Sequence, residues 1–348
     1  MEQATATNLF RLTALASRHR TPAIRVPTPL APTPSSPDRQ ERLNPAMPRF
    51  ANIPPFAKAV FMVLMGIFLL NVEGAIIKHL GARYTAQQLS AFRNLFGLIP
   101  AILMLLASQN WHVVGRPLVI RQWKLAFVRG GLVAIAQVLF YLSLVHLELA
   151  TACTIAFAGP LFVTALSAPV LGDRVGMWRW LAVFIGFAGI VLVMRPGSDV
   201  FTLYALLPLG AALGYSCASV SVRLIDTGVP TATINLYSHL GALIVATALV
   251  VATNGYVPVA STADWLWIFA IGIVGGGAIL CLNSAYRRTQ PSNLSPFEYF
   301  GIPYSFLLGW FFFAEAPFEK LFPGVILIVG GGLLIIWRER RKLRGSRT

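Results

Sequence analysis

The chain has 348 residues, of which 56% are hydrophobic and only 12% are charged, whereas about 25% of the residues of an average soluble domain are charged. This composition excludes an ordinary soluble protein of two domains, which the length alone would suggest at ~150 residues per domain. The net charge of +15 is concentrated near the two ends of the chain, so it gives no reason to expect a nucleic-acid partner.

Residues 1–54 are rich in Pro, Arg and Ser and contain no apolar run long enough for a signal sequence. Such a segment buries too little apolar surface to fold, so we expect a disordered cytoplasmic tail. Met47 lies eight residues before the first apolar block at Pro55. We expect that it can serve as an alternative start of the protein.

From about Phe56 to Trp337 the sequence divides into ten apolar blocks of roughly 20 residues, the length that an α-helix needs to cross a hydrocarbon core of ~30 Å. The blocks are apolar around most of their circumference, and they do not alternate as the strands of an outer-membrane barrel would. We therefore predict an all-α polytopic membrane protein with ten transmembrane helices. Their centres lie near Met65, Gly97, Ala134, Pro160, Ile185, Leu213, Leu243, Gly272, Ser305 and Gly330.

The charges of the loops predict the orientation in the membrane. With ten crossings both termini lie on one side, where the loops carry eight Lys and Arg residues, whereas the opposite loops carry four. Both terminal segments are basic as well. The positive-inside rule therefore predicts cytoplasmic termini, in a bacterial inner membrane.

The three cysteines, Cys153, Cys217 and Cys281, lie within apolar blocks, and no C-x-x-C or suitably spaced His accompanies them. We interpret them as small packing residues and predict neither a metal site nor a disulfide. No phosphate-binding loop is present in the sequence, and we expect no cofactor.

The second half of the chain repeats the first. Residues 172–196 align with residues 314–338 at an offset of 142, and the same offset pairs Gly159 with Gly301. Earlier in the chain the offset is 145, and a loop shorter by three residues in the second half absorbs the difference. Agreement in order across all five blocks indicates an internal duplication.

The duplication predicts two five-helix repeats, residues 55–197 and 198–338, followed by a basic cytoplasmic tail at residues 339–348. Because five is odd, the second repeat enters the membrane from the other side. Such inverted repeats can expose a midplane site to either side in turn by rocking one half against the other.

The run from residue 140 to residue 197 resembles the EamA-type repeat of the drug/metabolite transporter superfamily. The shared features are a short turn after the third helix, a proline within the fourth, an acidic-basic pair, and a glycine-rich fifth helix that ends near Arg-Pro. In this chain they are His146 to Leu149, Pro160, Asp173 with Arg174, Gly186 with Gly189, and Arg195 with Pro196. The resemblance extends over residues 56–337.

The resemblance implies a secondary transporter that moves a small polar organic metabolite by alternating access, with proton coupling as a hypothesis. Relatives of this type carry amino acids, cofactors such as S-adenosylmethionine, or vitamins such as riboflavin. An exporter of toxic organic compounds is the alternative within the same superfamily. The sequence does not distinguish between these solutes.

Four ionisable residues lie deep in apolar blocks: Glu73, Arg93, Arg129 and Glu298. A charge at this depth costs several kcal/mol unless it faces protein or water, so each is a candidate for substrate binding or coupling. Glu73 and Arg93 lie at similar depth on either side of a short loop, which predicts that they pair. Arg129 and Glu298 lie toward the opposite end, which predicts a second pair.

The structural alternative is that either arginine anchors a helix at the membrane interface. Glu298 has a shorter reach, and Pro296 and Pro303 flank it, so we expect a broken helix there and a carboxylate that binds solute or takes a proton. The resemblance implies that the first, third, fourth, sixth, eighth and ninth helices line the cavity. This favours Gln137, Tyr215, Asn283 and Tyr299 over Asn235 and His239.

Two other classes of protein are weaker interpretations. The stretch GYSCA, which contains Ser216, and His239 on the next helix suggest an intramembrane serine hydrolase, but no loop for an oxyanion hole is visible in the sequence. A channel would need a ring of like polar groups around a pore. We therefore predict that the protein is not an enzyme.

Overall fold

Helices form every regular element in the part of the chain that the structure describes. The computed structural model describes residues 55–115, 118–172, 176–194, 202–226, 228–286, 288, 294 and 297–345. The predicted all-α class is thereby confirmed. The predicted tail at residues 1–54, and the pairs Asp173 with Arg174 and Arg195 with Pro196, lie outside the described residues.

The helices of the first half follow one another in the order of the apolar blocks. They are α1 (Pro55–Gly81), α2 (Ala86–Leu106), the short α3 (Gln109–Val113), α4 (Trp123–His146), α5 (Leu149–Ala156), α6 (Gly159–Leu171) and α7 (Met177–Met194). The described helices of the second half also follow the order of the apolar blocks. Its helices are α8 (Leu206–Ser221), α9 (Thr231–Ala252), α10 (Thr262–Tyr286), α11 (Gly301–Phe313), the short α12 (Phe318–Leu321) and α13 (Gly324–Gly345).

Seven helical spans within the described residues are long and apolar enough to cross a membrane, judged by length and composition. Each contains the centre of one predicted block. The shorter apolar stretches Trp180–Met194, Gly301–Phe313 and Gly324–Leu334 contain the other three centres. The protein is therefore a polytopic membrane protein, and the count of ten crossings stays a prediction.

Local sequence accounts for several helix boundaries. The Thr85 hydroxyl accepts a hydrogen bond from the Gln88 backbone N–H at 3.3 Å, which satisfies one of the free N–H groups at the start of α2. Gly172 ends α6 with a φ of 69°, a left-handed conformation that glycine adopts without the cost that a Cβ would bring.

Each half contains a helix that is interrupted at a repeat-related position. A turn at residues 157–158 separates α5 from α6, which begins at Gly159, and a turn at residues 299–300 precedes α11, which begins at Gly301. Glu298 lies directly before the second turn. The predicted break beside this carboxylate is therefore present.

Glycines allow the closest contacts between helices. A Cβ on Gly276 would lie 2.0 Å from the Pro100 ring, so α10 packs directly on α2. A Cβ on Gly189 would lie 2.7 Å from the Gly324 carbonyl oxygen, which brings α7 against α13. Gly330 differs, because no atom of the described residues lies within 4 Å of its Cβ position.

Contacts between connecting segments define two ends of the helical bundle. At the end that holds the turn from α1 to α2, the Thr85 hydroxyl donates to the Gly255 carbonyl oxygen at 2.6 Å. At the end that holds the connection from α8 to α9, the Asp226 backbone N–H donates to Gln122 at 2.7 Å. We call these the α1–α2 end and the α8–α9 end.

Candidate functional site

A cavity of about 500 Å³ lies among the helices, within the range of ~300–1,000 Å³ that is usual for pockets that bind small molecules. Its lining residues come from α1, α2, α4, α5, α8, α9 and α10, together with Phe157 after α5 and Glu298 before α11. The expectation that the second and seventh apolar blocks stay out of the wall is wrong, since these blocks form α2 and α9.

Six of the eight residues predicted from the sequence as substrate or coupling residues line this cavity. They are Glu73, Arg93, Arg129, Gln137, Tyr215 and Glu298. The structure thus brings together residues from both halves of the chain. Their function in transport stays a prediction.

The predicted pair between Glu73 and Arg93 is formed. Arg93 Nε donates to Glu73 Oε1 at 3.0 Å, and the Tyr141 hydroxyl donates to the same oxygen at 3.3 Å. All three residues are buried. The carboxylate lies against Gly275, where a Cβ would come within 2.4 Å of Oε2, so only a residue without a side chain leaves room for it.

Gln137 connects α4 to α2 beside this ion pair. Its side-chain oxygen accepts hydrogen bonds from the Ser90 hydroxyl at 2.8 Å and from Asn94 Nδ2 at 2.7 Å. Asn94 Oδ1 is buried and has no hydrogen-bond partner among the described residues. A buried polar atom left in this way is available to a ligand or to water.

Arg129 is held by neutral groups. Its Nε donates to the Ala218 carbonyl oxygen at 3.0 Å, and its Nη1 donates to the Ser238 hydroxyl at 2.6 Å. These bonds attach the side chain to α8 and α9. The interpretation of Arg129 as an anchor at the membrane interface is not needed, because the guanidinium lines the cavity.

Glu298 accepts a hydrogen bond from the Tyr286 hydroxyl at 2.5 Å. Among the described residues it forms no ion pair, so the predicted pair between Arg129 and Glu298 is not formed in this structure. The physical reason is that each side chain finds a partner nearer to its own backbone. Arg129 bonds to the helices next to α4, whereas Tyr286 lies only twelve residues before Glu298 in the chain.

Asn283 and Tyr299 were predicted to line the cavity and are not among its lining residues. Asn283 Nδ2 contacts Met104 Sδ at 3.5 Å. The Tyr299 ring stacks on Phe157 with centroids 5.5 Å apart, and its hydroxyl fills the space above Gly332 of α13. Both side chains are thus used in packing between helices.

Several further residues line the cavity that are not among the eight predicted from the sequence: Asn94, Asn235, Ser238, His239 and Tyr286. Asn235 and His239 were set aside because the resemblance implied that their helix lies outside the cavity. His239 Nδ1 is buried without a hydrogen-bond partner in the described part of the chain. The contact of Tyr286 with Glu298 could have been predicted from the sequence, because a short connection joins the helix of Tyr286 to Glu298. The same argument predicts the pair of Glu73 and Arg93.

Ser216 and His239 do not form the pair that a serine hydrolase requires. The Ser216 hydroxyl donates to the carbonyl oxygens of Ala212, at 2.7 Å, and Gly159, at 3.0 Å. A nucleophile needs a base within hydrogen-bond reach. The Ser216 hydroxyl instead has the bonds of a packing residue within and between helices.

The cavity is closed toward the α1–α2 end. There, Lys78 Nζ forms an ion pair with Glu315 Oε1 at 2.7 Å and donates to the carbonyl oxygens of Leu144 and Leu147. Glu315 Oε2 in turn accepts the Leu149 backbone N–H at 2.8 Å. One ion pair therefore joins the end of α1, the turn between α4 and α5, and the segment after α11.

The cavity is open toward the α8–α9 end. Its lining residues near the α1–α2 end, such as Glu73 and Arg93, are buried. Arg129 and Asn235, in the first turns of α4 and α9, are half-buried, and Ser219 at the end of α8 is exposed. This rise in exposure along the cavity shows which end admits solvent.

Comparison with known proteins assigns the same function class to both halves of the chain. The EamA-like transporter family matches twice, at residues 57–195 and 202–337. A pseudopaline exporter of Pseudomonas aeruginosa is 27% identical over 272 residues, covering 78% of this chain and 93% of that protein. A riboflavin transporter of Vibrio cholerae is 31% identical over 189 residues, covering 54% and 63%. An S-adenosylmethionine uptake transporter of Rickettsia prowazekii is 21% identical over 289 residues, covering 83% and 95%.

Proposed function

Since the chain belongs to the EamA-like transporter family and is a small-metabolite transporter, we propose that it is a secondary transporter of a small polar organic solute. It works in the cytoplasmic membrane by alternating access. The observation that carries this proposal is the cavity of about 500 Å³, which has charged residues in its wall, one open end and one closed end.

The loops supply the orientation for this proposal. The connecting segments at the α8–α9 end lie on the same side of the membrane as the termini in the predicted topology. The loops of this side carry more Lys and Arg than the opposite loops, so we expect it to be the cytoplasmic side. The open end of the cavity then faces the cytoplasm, and the structure corresponds to the inward-facing state. The ion pair of Lys78 with Glu315 closes the cavity toward the outside.

The lining residues fall into two functional groups in this proposal. Glu73, Arg93 and Tyr141 form a self-contained buried network near the closed end, which fixes the shape of the cavity. Arg129 and Glu298, nearer to the open end, are available to solute and to protons. No role in solute binding is proposed for Asn283 and Tyr299.

Transport by the purified full chain in liposomes tests the proposal. We expect saturable uptake of at least one compound from a panel of amino acids, S-adenosylmethionine, riboflavin and quaternary amines, without ATP. An unlabelled solute on one side should drive accumulation of labelled solute from the other, because a carrier that alternates between two states exchanges its solute. Protein-free liposomes are the control.

Strict dependence of uptake on ATP would exclude a secondary transporter. Solute flow that neither saturates nor supports exchange would instead indicate a channel. Repeating the uptake with an imposed pH gradient shows whether protons move with the solute, and comparison of uptake with efflux gives the direction of transport.

A further inference from the structure

Two opposite charges in the cavity have no charged partner among the residues that the structure describes. Arg129 and Glu298 both line it, and within the described ranges neither belongs to an ion pair. The other two ionised side chains of the wall, Glu73 and Arg93, neutralise each other at 3.0 Å. A charge that is removed from water without a partner is costly. The cavity is therefore left with one positive and one negative group that a solute can compensate.

Arg129 has hydrogen-bond donors to spare. Its two bonds, to the carbonyl oxygen of Ala218 and the hydroxyl of Ser238, use two of the five N–H groups of a guanidinium. Both acceptors are neutral, so the positive charge is not balanced. The planar arrangement of guanidinium donors suits a carboxylate better than any other common organic anion except phosphate.

Glu298 has acceptor capacity to spare. From the described part of the chain only Oε1 receives a hydrogen bond, which the neutral hydroxyl of Tyr286 donates, whereas a carboxylate accepts about four. The aromatic ring of Phe157 lines the same cavity. An ammonium group next to Glu298 would gain both the charge interaction and an aromatic neighbour.

The two charges are hydrogen-bonded to different helices. Arg129 is hydrogen-bonded to α8 and α9, which pack on its own helix α4. Glu298 is hydrogen-bonded to α10, which packs on α1, and α1 in turn packs on α11. A solute that contacts both charges would therefore connect α8 and α9 with α10 across the cavity.

We propose that the solute is a zwitterion, with a carboxylate that binds Arg129 and an ammonium group that binds Glu298. This inference rests on the proposed transport function and narrows its substrate class. A simple anion would leave Glu298 uncompensated, a simple cation would leave Arg129 uncompensated, and a neutral solute would leave both. Because a ligand shifts a conformational equilibrium only through its different affinity for the two states, bridging the two walls also gives the solute a way to favour closure of the open end.

A matched set of ligands tests the charge requirement. Binding to the purified full chain is measured from the ligand-dependent change in Tm. Alanine and methionine serve as zwitterions of increasing size, and S-adenosylmethionine serves as a larger ligand whose amino-acid group carries both charges beside a further sulfonium cation. Methionine methyl ester lacks the anionic group and N-acetylmethionine lacks the cationic one. We expect at least one zwitterion to bind, and for methionine we expect each derivative to bind about tenfold more weakly or worse, as the loss of a charged hydrogen bond predicts.

Two variants assign each group of the solute to its partner. Arg129→Gln should bind methionine and its methyl ester with equal affinity, while it still discriminates against N-acetylmethionine. Glu298→Gln should show the reverse. Arg129→Lys keeps the positive charge and should retain preference for methionine over the ester, which keeps the test valid if Arg129→Gln fails to fold. The controls are Lys124→Gln and Asp226→Asn, which remove exposed charges at the same end of the bundle and should leave both discriminations unchanged.

The inference is overturned if no zwitterion binds, or if either derivative binds as well as methionine to the unmodified protein. It is also overturned if the variants keep the discrimination that they are expected to lose. Transport of riboflavin without binding of any zwitterion would overturn the inference and leave the proposed transport function standing. Failure of every compound to move in liposomes would count against the transport function itself.

Discussion

At the scale of single residues, the buried pair of Glu73 and Arg93 shows how this protein keeps charges inside its apolar bundle. Each side chain is less than one tenth exposed, so neither is solvated by bulk water. The Tyr141 hydroxyl adds a further bond to the carboxylate. Such a pair adds little net stability compared with apolar residues, but removal of one member leaves the other charge buried and unpaired.

This asymmetry predicts the result of a double-mutant cycle. Arg93→Gln and Glu73→Gln should each lower the free energy of unfolding by about 3 kcal/mol, because each strands a buried charge. The double variant should be more stable than either single variant, since no charge remains. Denaturation of the purified protein in detergent measures all three. Additive losses in the double variant would show that the two side chains do not interact.

The sequence predicted some of these contacts and missed others for a physical reason. Glu73 and Arg93 lie on helices joined by a turn of a few residues, so similar depth was sufficient to pair them. Arg129 and Glu298 also have similar depth, but no short connection joins their helices, and depth alone does not determine which helices are neighbours. That information depends on tertiary packing, which one sequence does not contain. The direction in which a side chain points also depends on tertiary packing. The sequence therefore did not predict that Tyr299 faces α13 and not the cavity.

At the scale of elements, the two interrupted helices meet at their breaks. Phe157, in the turn between α5 and α6, stacks on Tyr299, in the turn before α11. A Cβ on Gly301 would lie only 2.7 Å from the Phe157 ring. The sequence predicted the break beside Glu298 from Pro296 and Pro303. The break at residues 157–158 and the contact between the two breaks became visible only in the structure.

Gly301→Ala should therefore disturb the cavity without unfolding the protein. The added methyl group displaces the Phe157 ring, which lines the cavity, and overpacking of this kind costs about 1–3 kcal/mol. We expect a clear loss of solute uptake in liposomes. Gly330→Ala is the matched control, because no atom of the described residues lies within 4 Å of the added methyl group. Alanine also favours the helix over glycine by ~1 kcal/mol, so this variant should remain folded. Equal uptake by the two variants would contradict a role for the contact between the breaks.

At the scale of the whole molecule, the closed end depends on few polar contacts. Lys78 and Glu315 are 11% and 18% exposed, so water screens their interaction only in part. Arg83 and Asp264 form a second ion pair at the same end, but the Arg83 side chain is 49% exposed, and exposed pairs contribute ~1 kcal/mol or less. Among the ion pairs of the described residues, the more buried one is thus the main electrostatic contact that holds this end closed.

Loss of that pair should let the cavity open to the outside. To report the opening, Ala156, which lines the cavity, is replaced by cysteine in a variant without the three native cysteines. This cysteine is then labelled with a membrane-impermeant maleimide. We expect reaction from the cytoplasmic side of inside-out vesicles and little reaction in intact cells, where only the outer side is accessible. Lys78→Met should raise the rate in intact cells about tenfold, as a shift of ~1.4 kcal/mol in the equilibrium between the two states predicts. Arg83→Gln should raise it much less. Rapid labelling of the unmodified protein in intact cells, with none in inside-out vesicles, would show that the proposed orientation is reversed.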